Sequence, residues 1–123
     1  ANTQWDMLLT SSIDIISFDA FSYFDRFILY PNEIRDYLNQ GKLLAIGIVP
    51  TEKASLIAEQ TVDGLAARFN EQIETLAEKT GLDRAKGLSQ SFVTPSCGTG
   101  SLDIESAVRV LELTRDVSAE IRS

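Results

Sequence analysis

The sequence predicts an α/β fold with a parallel sheet covered by helices, and three observations carry that expectation. Three short runs rich in β-branched and apolar residues, Ile13–Phe18, Leu43–Val49 and Ser91–Thr94, are nearly continuous rather than alternating. That is the pattern of strands buried on both faces. A stretch with helical apolar spacing follows each run. Pro31, Gly41, Pro50 and Gly81 punctuate the boundaries between them. Strands that alternate with helices need crossover connections, which make a parallel sheet. The chain has 123 residues, enough for a single domain over 1–123 with a modest core.

Taken in order, Asn2 to Leu9 reads as a helical lead-in, with Trp5, Leu8 and Leu9 at helical spacing. The first strand ends at Asp19. Phe21 to Tyr30 is aromatic-rich and ambiguous. Pro31-Asn32 starts a short helix over Glu33–Gln40, stopped by Gly41. The second strand is closed by Pro50. Thr51 reads as the N-cap of a long helix, with Glu52 in its first turn and Ile57, Val62, Leu65, Phe69, Ile73 and Leu76 near a 3.6 period. Gly81 is its C-cap, and Asp83 to Leu88 is a short helical linker. After the third strand a last helix runs from Leu102 with Ser101 as cap; Ile104, Ala107, Val108, Leu111, Val117 and Ile121 form its apolar stripe.

Composition narrows the function. The net charge is −7, which argues against a nucleic-acid partner, since that needs a basic face to displace counterions. It argues equally against an anionic membrane surface. No apolar run approaches the ~20 residues that span a bilayer, and the N-terminus lacks the basic and apolar regions of a leader. Cys97 is the only cysteine, so no internal disulfide forms and a cytoplasmic setting is expected. The sequence contains no histidine. Imidazole chemistry would have to come from outside it.

Chemistry concentrates where strands end. Thr94-Pro95-Ser96-Cys97-Gly98-Thr99-Gly100-Ser101 joins the third strand to the last helix, and ligands in α/β proteins gather at such junctions. A thiol just before a helix N-terminus sits in a positive field that favours thiolate, a nucleophile or metal ligand. A small buried hydrophobe is the other reading of Cys97. Gly98 to Ser101 could cradle an anion, or serve as an ordinary turn. Asp19, at the end of the first strand, reads as a metal ligand, base or substrate contact, or as a helix cap. Phe18, Phe21, Tyr23 and Phe24 around it read as pocket wall or core. Gly47 inside a strand suggests close approach by another backbone or a ligand, or simple packing. The acidic residues Glu52, Glu59, Asp63, Glu71, Glu74 and Glu78 read as a solvated face.

Three segments together, Ile13-Asp14-Ile15-Ile16-Ser17-Phe18-Asp19-Ala20, Ala45-Ile46-Gly47-Ile48-Val49-Pro50-Thr51 and Thr94-Pro95-Ser96-Cys97-Gly98, resemble the last three strands of the methionine synthase and uroporphyrinogen decarboxylase superfamily. The nearest likeness is to the C-terminal barrel of cobalamin-independent methionine synthases. It covers essentially the whole chain, and Pro-Ser-Cys-Gly is its most specific part. The resemblance implies the C-terminal three βα units of a TIM (β/α)₈ barrel, with zinc at the rim activating a substrate thiol for attack on a methyl donor. The family ligands are a His-x-Cys pair, an acidic residue at a strand end and a later cysteine in a Cys-Gly turn. Cys97 matches the last of these. Asp19 lies where the acidic ligand or a substrate contact is expected, although methionine synthases carry glutamate there. Ala1-Asn2-Thr3-Gln4-Trp5 resembles the stretch just after the His-x-Cys pair. The chain is thus expected to supply two ligands at most and to be inactive alone, either self-associating or completed by an N-terminal barrel portion. Two alternatives stand beside this: a decarboxylase-like or divergent enzyme that uses the rim without zinc, and a non-catalytic, self-associating half-barrel.

Overall fold

A computed structural model describes Leu9, residues 12–96 and residues 102–122. The elements run β1 (Ile15–Phe18), α1 (Ala20–Phe27), α2 (Pro31–Asn39), β2 (Leu43–Val49), α3 (Ala54–Ala58), α4 (Val62–Thr80), α5 (Arg84–Ser89), β3 (Ser91–Pro95) and α6 (Ile104–Arg122). The sheet is parallel, in the order β1-β2-β3. Ile15 lies opposite Leu43 and Phe18 opposite Ile46; Leu44 lies opposite Ser91 and Gly47 opposite Thr94.

Right-handed crossovers between sequential parallel strands put their helices on one side of the sheet, and burial follows that rule. Ile16, Phe18, Leu44, Ile46 and Val93 join Ile34 and Leu38 of α2, Phe69 and Ile73 of α4, and Val110 and Leu113 of α6 in one core cluster. The apolar residues that alternate with them, Ile15, Leu43, Ala45 and Phe92, lie outside the cluster, and Ile15 is 50% exposed. The helix-covered face thus holds the core. β2 is central: every residue from Leu44 to Thr51 is buried. A bulge between Gly47 and Val49 shifts its register against β3. Alternation breaks there, so both Ile48 and Val49 join the core.

The ambiguous aromatic segment becomes α1, kinked at Tyr23, with Phe27 fully buried and stacked on Phe18 at 4.3 Å between ring centroids. Pro31 takes the first turn of α2, where a missing N–H costs nothing. The Tyr37 hydroxyl donates to Leu43 O at 2.8 Å and ties α2 to the start of β2; burial pushes this phenol's pKa up. Buried Gln90 donates to Leu38 O at 2.8 Å and Lys42 O at 2.6 Å, fastening the same corner to β3.

Two helix expectations are corrected. The long helix from Thr51 is two helices, α3 and α4. Thr61 caps α4 by accepting from Gly64 N at 3.0 Å, and its extended backbone breaks the run; Thr51 is taken up elsewhere, as described below. Gly81 does close α4, at φ 76. The last helix starts at Ile104 rather than Leu102, and Asp103 accepts from its first turn: Ser106 N donates to Asp103 Oδ1 at 2.7 Å; the expected cap, Ser101, lies outside the described residues. That bond, with one from the Ser106 side chain, holds the Asp103 carboxyl below the usual carboxylate range. The expected apolar stripe also faces the wrong way in part. Ile104, Val108 and Leu111 are exposed, whereas Val110, Leu113 and Val117 are fully buried. Of the expected stripe Val117 is in the core and Ile121 packs against it. Arg122 closes α6 by donating to Ser91 O at 2.7 Å and Leu88 O at 3.3 Å. Among the described residues no helix is long and apolar enough to cross a membrane.

Candidate site at the strand ends

The C-terminal ends of all three strands open at the same edge of the sheet, because the strands are parallel. β1 delivers Asp19 there, β2 delivers Thr51 and β3 delivers Ser96. Asp19 caps α1: its Oδ1 accepts from Ser22 N at 3.0 Å. This is the cap reading of Asp19. It occupies one carboxylate oxygen, and a carboxylate has a second acceptor to offer. Thr51 is 5% exposed and its hydroxyl shares a 3.1 Å hydrogen bond with that of Ser96. Ser96 N also donates to Val49 O at 2.7 Å. The residue before Cys97 is therefore held by backbone and side chain together.

Gly47 explains how the ends come so close. A Cβ built on it would lie 2.5 Å from Phe18 O, 2.9 Å from Ser96 Cα and 3.1 Å from Pro95 O. Real Cβ atoms do not sit that near backbone, so only glycine fits. Of the readings open for Gly47, the close approach of other backbone is the one observed. Beside it, Thr94 Oγ1 is buried without a hydrogen-bond partner among the described residues, an arrangement that costs about 1–3 kcal/mol when nothing compensates it.

Cys97 and residues 98–101 lie outside the described residues, as does the expected lead-in Asn2–Leu9 except for Leu9, which is helical and buried. Among the described residues there is no group of three or more His, Cys, Asp or Glu able to hold a metal ion. In donor chemistry the rim supplies one carboxylate, and the chain supplies one thiol directly after Ser96. Zinc prefers four ligands drawn from thiolate, imidazole and carboxylate. These two residue types fit part of such a site.

The aromatic cluster beside Asp19 divides. Phe18 belongs to the core, Phe24 packs against it, and Phe21 stacks under the Arg68 guanidinium at 4.2 Å. Arg68 also donates to Phe21 O, and buried Gln72 donates to Ala20 O at 2.8 Å, so α4 braces the start of α1. The acidic residues Glu52, Glu59, Asp63, Glu71, Glu74 and Glu78 are all exposed. Sequence reasoning missed the Thr51–Ser96 pair. A signal was present: two strands end in the same way, Val49-Pro50-Thr51 and Thr94-Pro95-Ser96, a β-branched residue, a proline and a hydroxyl. Compared with known proteins, the chain matches no family model, no curated protein and no solved structure.

Proposed function

We propose that this chain is the C-terminal three βα units of a (β/α)₈ barrel whose intact form transfers a methyl group to a thiol with the help of zinc. The observation that carries the reading is the gathering of Asp19 and Ser96, the neighbour of Cys97, at one end of three sequential parallel strands. Active sites of such barrels lie at that end. The face with Ile15, Ala45 and Phe92, outside the helix-covered core, corresponds in this reading to the barrel interior.

Zinc, when bound, would lower the pKa of a substrate thiol and orient the thiolate. Cys97 would be one ligand, and Asp19 would ligate or hold substrate through the oxygen not used by Ser22 N. Thr51 and Ser96 would aim the segment that leads into Cys97. The remaining ligands, a folate or corrinoid methyl donor and the acceptor thiol come from outside this sequence, and the setting would be cytoplasmic. A second reading, a decarboxylase-like or divergent enzyme without zinc, draws on the Asp19 cap, which gives that carboxylate a structural task.

Titration against a chromogenic zinc chelator tests the proposal. The 123-residue chain is expected to bind zinc weakly, and the full-length protein to bind it stoichiometrically and to lose it together with thiol methylation in Cys97→Ser. Oxygen of a hydroxyl is a poor substitute for thiolate on zinc. Tight stoichiometric binding by the chain alone would refute the incomplete-site reading. Full zinc occupancy in Cys97→Ser would refute the ligand assignment and leave the zinc-free enzyme.

A further inference from the structure

We infer that a second copy of this chain docks on β1, the edge of the described sheet that nothing guards, and that the two copies close into a dimer through antiparallel pairing of their β1 strands. The inference does not depend on the methyltransferase reading, in which the same edge would take the preceding strand of the barrel.

The ladders fix which backbone groups each edge strand turns outward. Leu43 N donates to Asp14 O at 2.9 Å, with Ile15 opposite Leu43. In a parallel pair the residue bracketed in this way points its own N–H and C=O away from its neighbour. Ile15 and, two residues on, Ser17 therefore present theirs at the outer edge of β1. By the same rule Leu44 N donates to Gln90 O at 2.8 Å with Ser91 opposite Leu44, and Ser96 N donates to Val49 O at 2.7 Å with Pro95 opposite Val49. Ser91, Val93 and Pro95 thus face outward on β3.

The two edges differ. On β3, Arg122 donates to Ser91 O at 2.7 Å, and Pro95 has no N–H to offer. Of the three outward residues Val93 alone keeps both groups for a further strand. A proline and an occupied carbonyl keep an edge from pairing. β1 has neither device: it reads Ile15, Ile16, Ser17, Phe18. Ile15 is 50% exposed and Ser17 is exposed. Among the described residues no bond takes up the outward groups of Ile15 and Ser17.

A row of open backbone groups needs an extended partner, and β1 of a second copy supplies the matching row. About a two-fold axis at Ile16, the N–H and C=O of Ile15 meet the C=O and N–H of Ser17 of the second copy, and Ser17 meets the second copy's Ile15 in turn. Charge selects this direction. Asp14 precedes β1 and Asp19 follows it. Antiparallel pairing sets Asp14 opposite the second copy's Phe18, whereas in-register parallel pairing would set each aspartate beside its own copy, and like charges directly opposite are destabilising. The two Ile15 side chains become diagonal neighbours on the open face of the sheet. Closure follows from the guarded edge. A head-to-tail contact of β1 on β3 would propagate without end, and Arg122 and Pro95 oppose it, so assembly stops at two.

Sedimentation of the 123-residue, 13.6 kDa chain is expected to show a dimer that does not grow further with concentration. Amide exchange locates the contact: Ile15 and Ser17 are expected to slow as concentration rises through dimerisation, while Val93, outward on β3, stays constant. Ser17→Pro deletes an outward N–H and leaves the β1–β2 ladder intact, as an edge strand tolerates. The two-fold axis doubles the loss, so dimerisation is expected to weaken at least ~10-fold. Ile15→Lys sets two ammonium groups diagonally across the axis and is expected to weaken it as well. Leu111→Glu, at an exposed position of α6, is expected to dimerise as wild type. If Ser17→Pro fails to fold, Ile15→Lys decides, because its side chain is already half in water. Undiminished dimerisation in Ile15→Lys overturns the inference. So does a monomeric wild type, concentration-dependent protection at Val93, assembly beyond the dimer, or loss of the dimer in Leu111→Glu.

Discussion

Asp19 has one observed task, capping α1, and one proposed task, ligating zinc, and substitution separates them. As the N-cap of α1 it satisfies one otherwise unpaired N–H, that of Ser22, at 3.0 Å. Replacing a capping Asp by Ala costs about 1 kcal/mol, within a range of about 0.5–2. The bond is exposed, so water takes over part of its task and the cost should not exceed the middle of that range. For a domain of this size, ~1 kcal/mol moves Tm by roughly 3–5 °C. Asn caps about as well as Asp, so Asp19→Asn should melt within about 1 °C of wild type. A neutral amide oxygen, however, is a much weaker partner for zinc than a carboxylate. In the proposed intact barrel Asp19→Asn should therefore keep stability while zinc affinity falls about tenfold or more, a difference of ~1.4 kcal/mol. Paired thermal melts and chelator-competition titrations of wild type, Asp19→Asn and Asp19→Ala read both effects. An Asp19→Ala protein as stable as wild type refutes the cap. An Asp19→Asn protein with wild-type zinc affinity refutes the ligand and leaves Asp19 a structural residue.

Three further outcomes are expected. The Asp103 carboxyl has a depressed pKa in the folded state, so its contribution is complete above the ordinary carboxylate pKa of ~3.9 and is lost as pH falls through the lower folded value; Asp103→Asn should flatten that part of an acid denaturation curve, and an identical curve would remove the cap from the account. Leu113→Ala should destabilise by about 2–5 kcal/mol because the side chain is fully buried, while exposed Leu111→Ala should stay within ~0.5 kcal/mol; equal losses in urea melts would contradict the face assigned to α6. The chain should form dimers or larger species in sedimentation, since Ile13 and Ile15 are 43% and 50% exposed and β1 is an edge strand among the described residues; a monodisperse, cooperatively unfolding monomer would favour a self-contained small α/β domain.

What the chain's local order could decide was decided by short-range physics. Leu43–Val49 is legible as a strand because its residues are apolar without interruption, and it is observed with those bounds. Gly81 ends α4 at φ 76, a conformation that penalises any side chain. Strand–helix alternation implied a parallel sheet, and the sheet is parallel in sequential order. Choices between locally equivalent options were settled only in three dimensions. Helix α6 has two apolar stripes, and nothing in their spacing tells which one faces the core; Val110, Leu113 and Val117 pack there, and Ile104, Val108 and Leu111 remain outside. Thr51 and Thr61 are equally good caps by residue type, but Thr51 is drawn to Ser96, far along the chain, and Thr61 is left to start α4. The same holds at the rim. Asp19 was legible as a strand-end carboxylate, yet its bond to Ser22 N required α1 to form. Gly47 was legible as an interruption in a strand, yet its reason is the convergence of Phe18 O and Ser96 Cα from two other strands. Backbone atoms carry no sequence signature, so a contact made by backbone alone is readable only once the strands lie side by side.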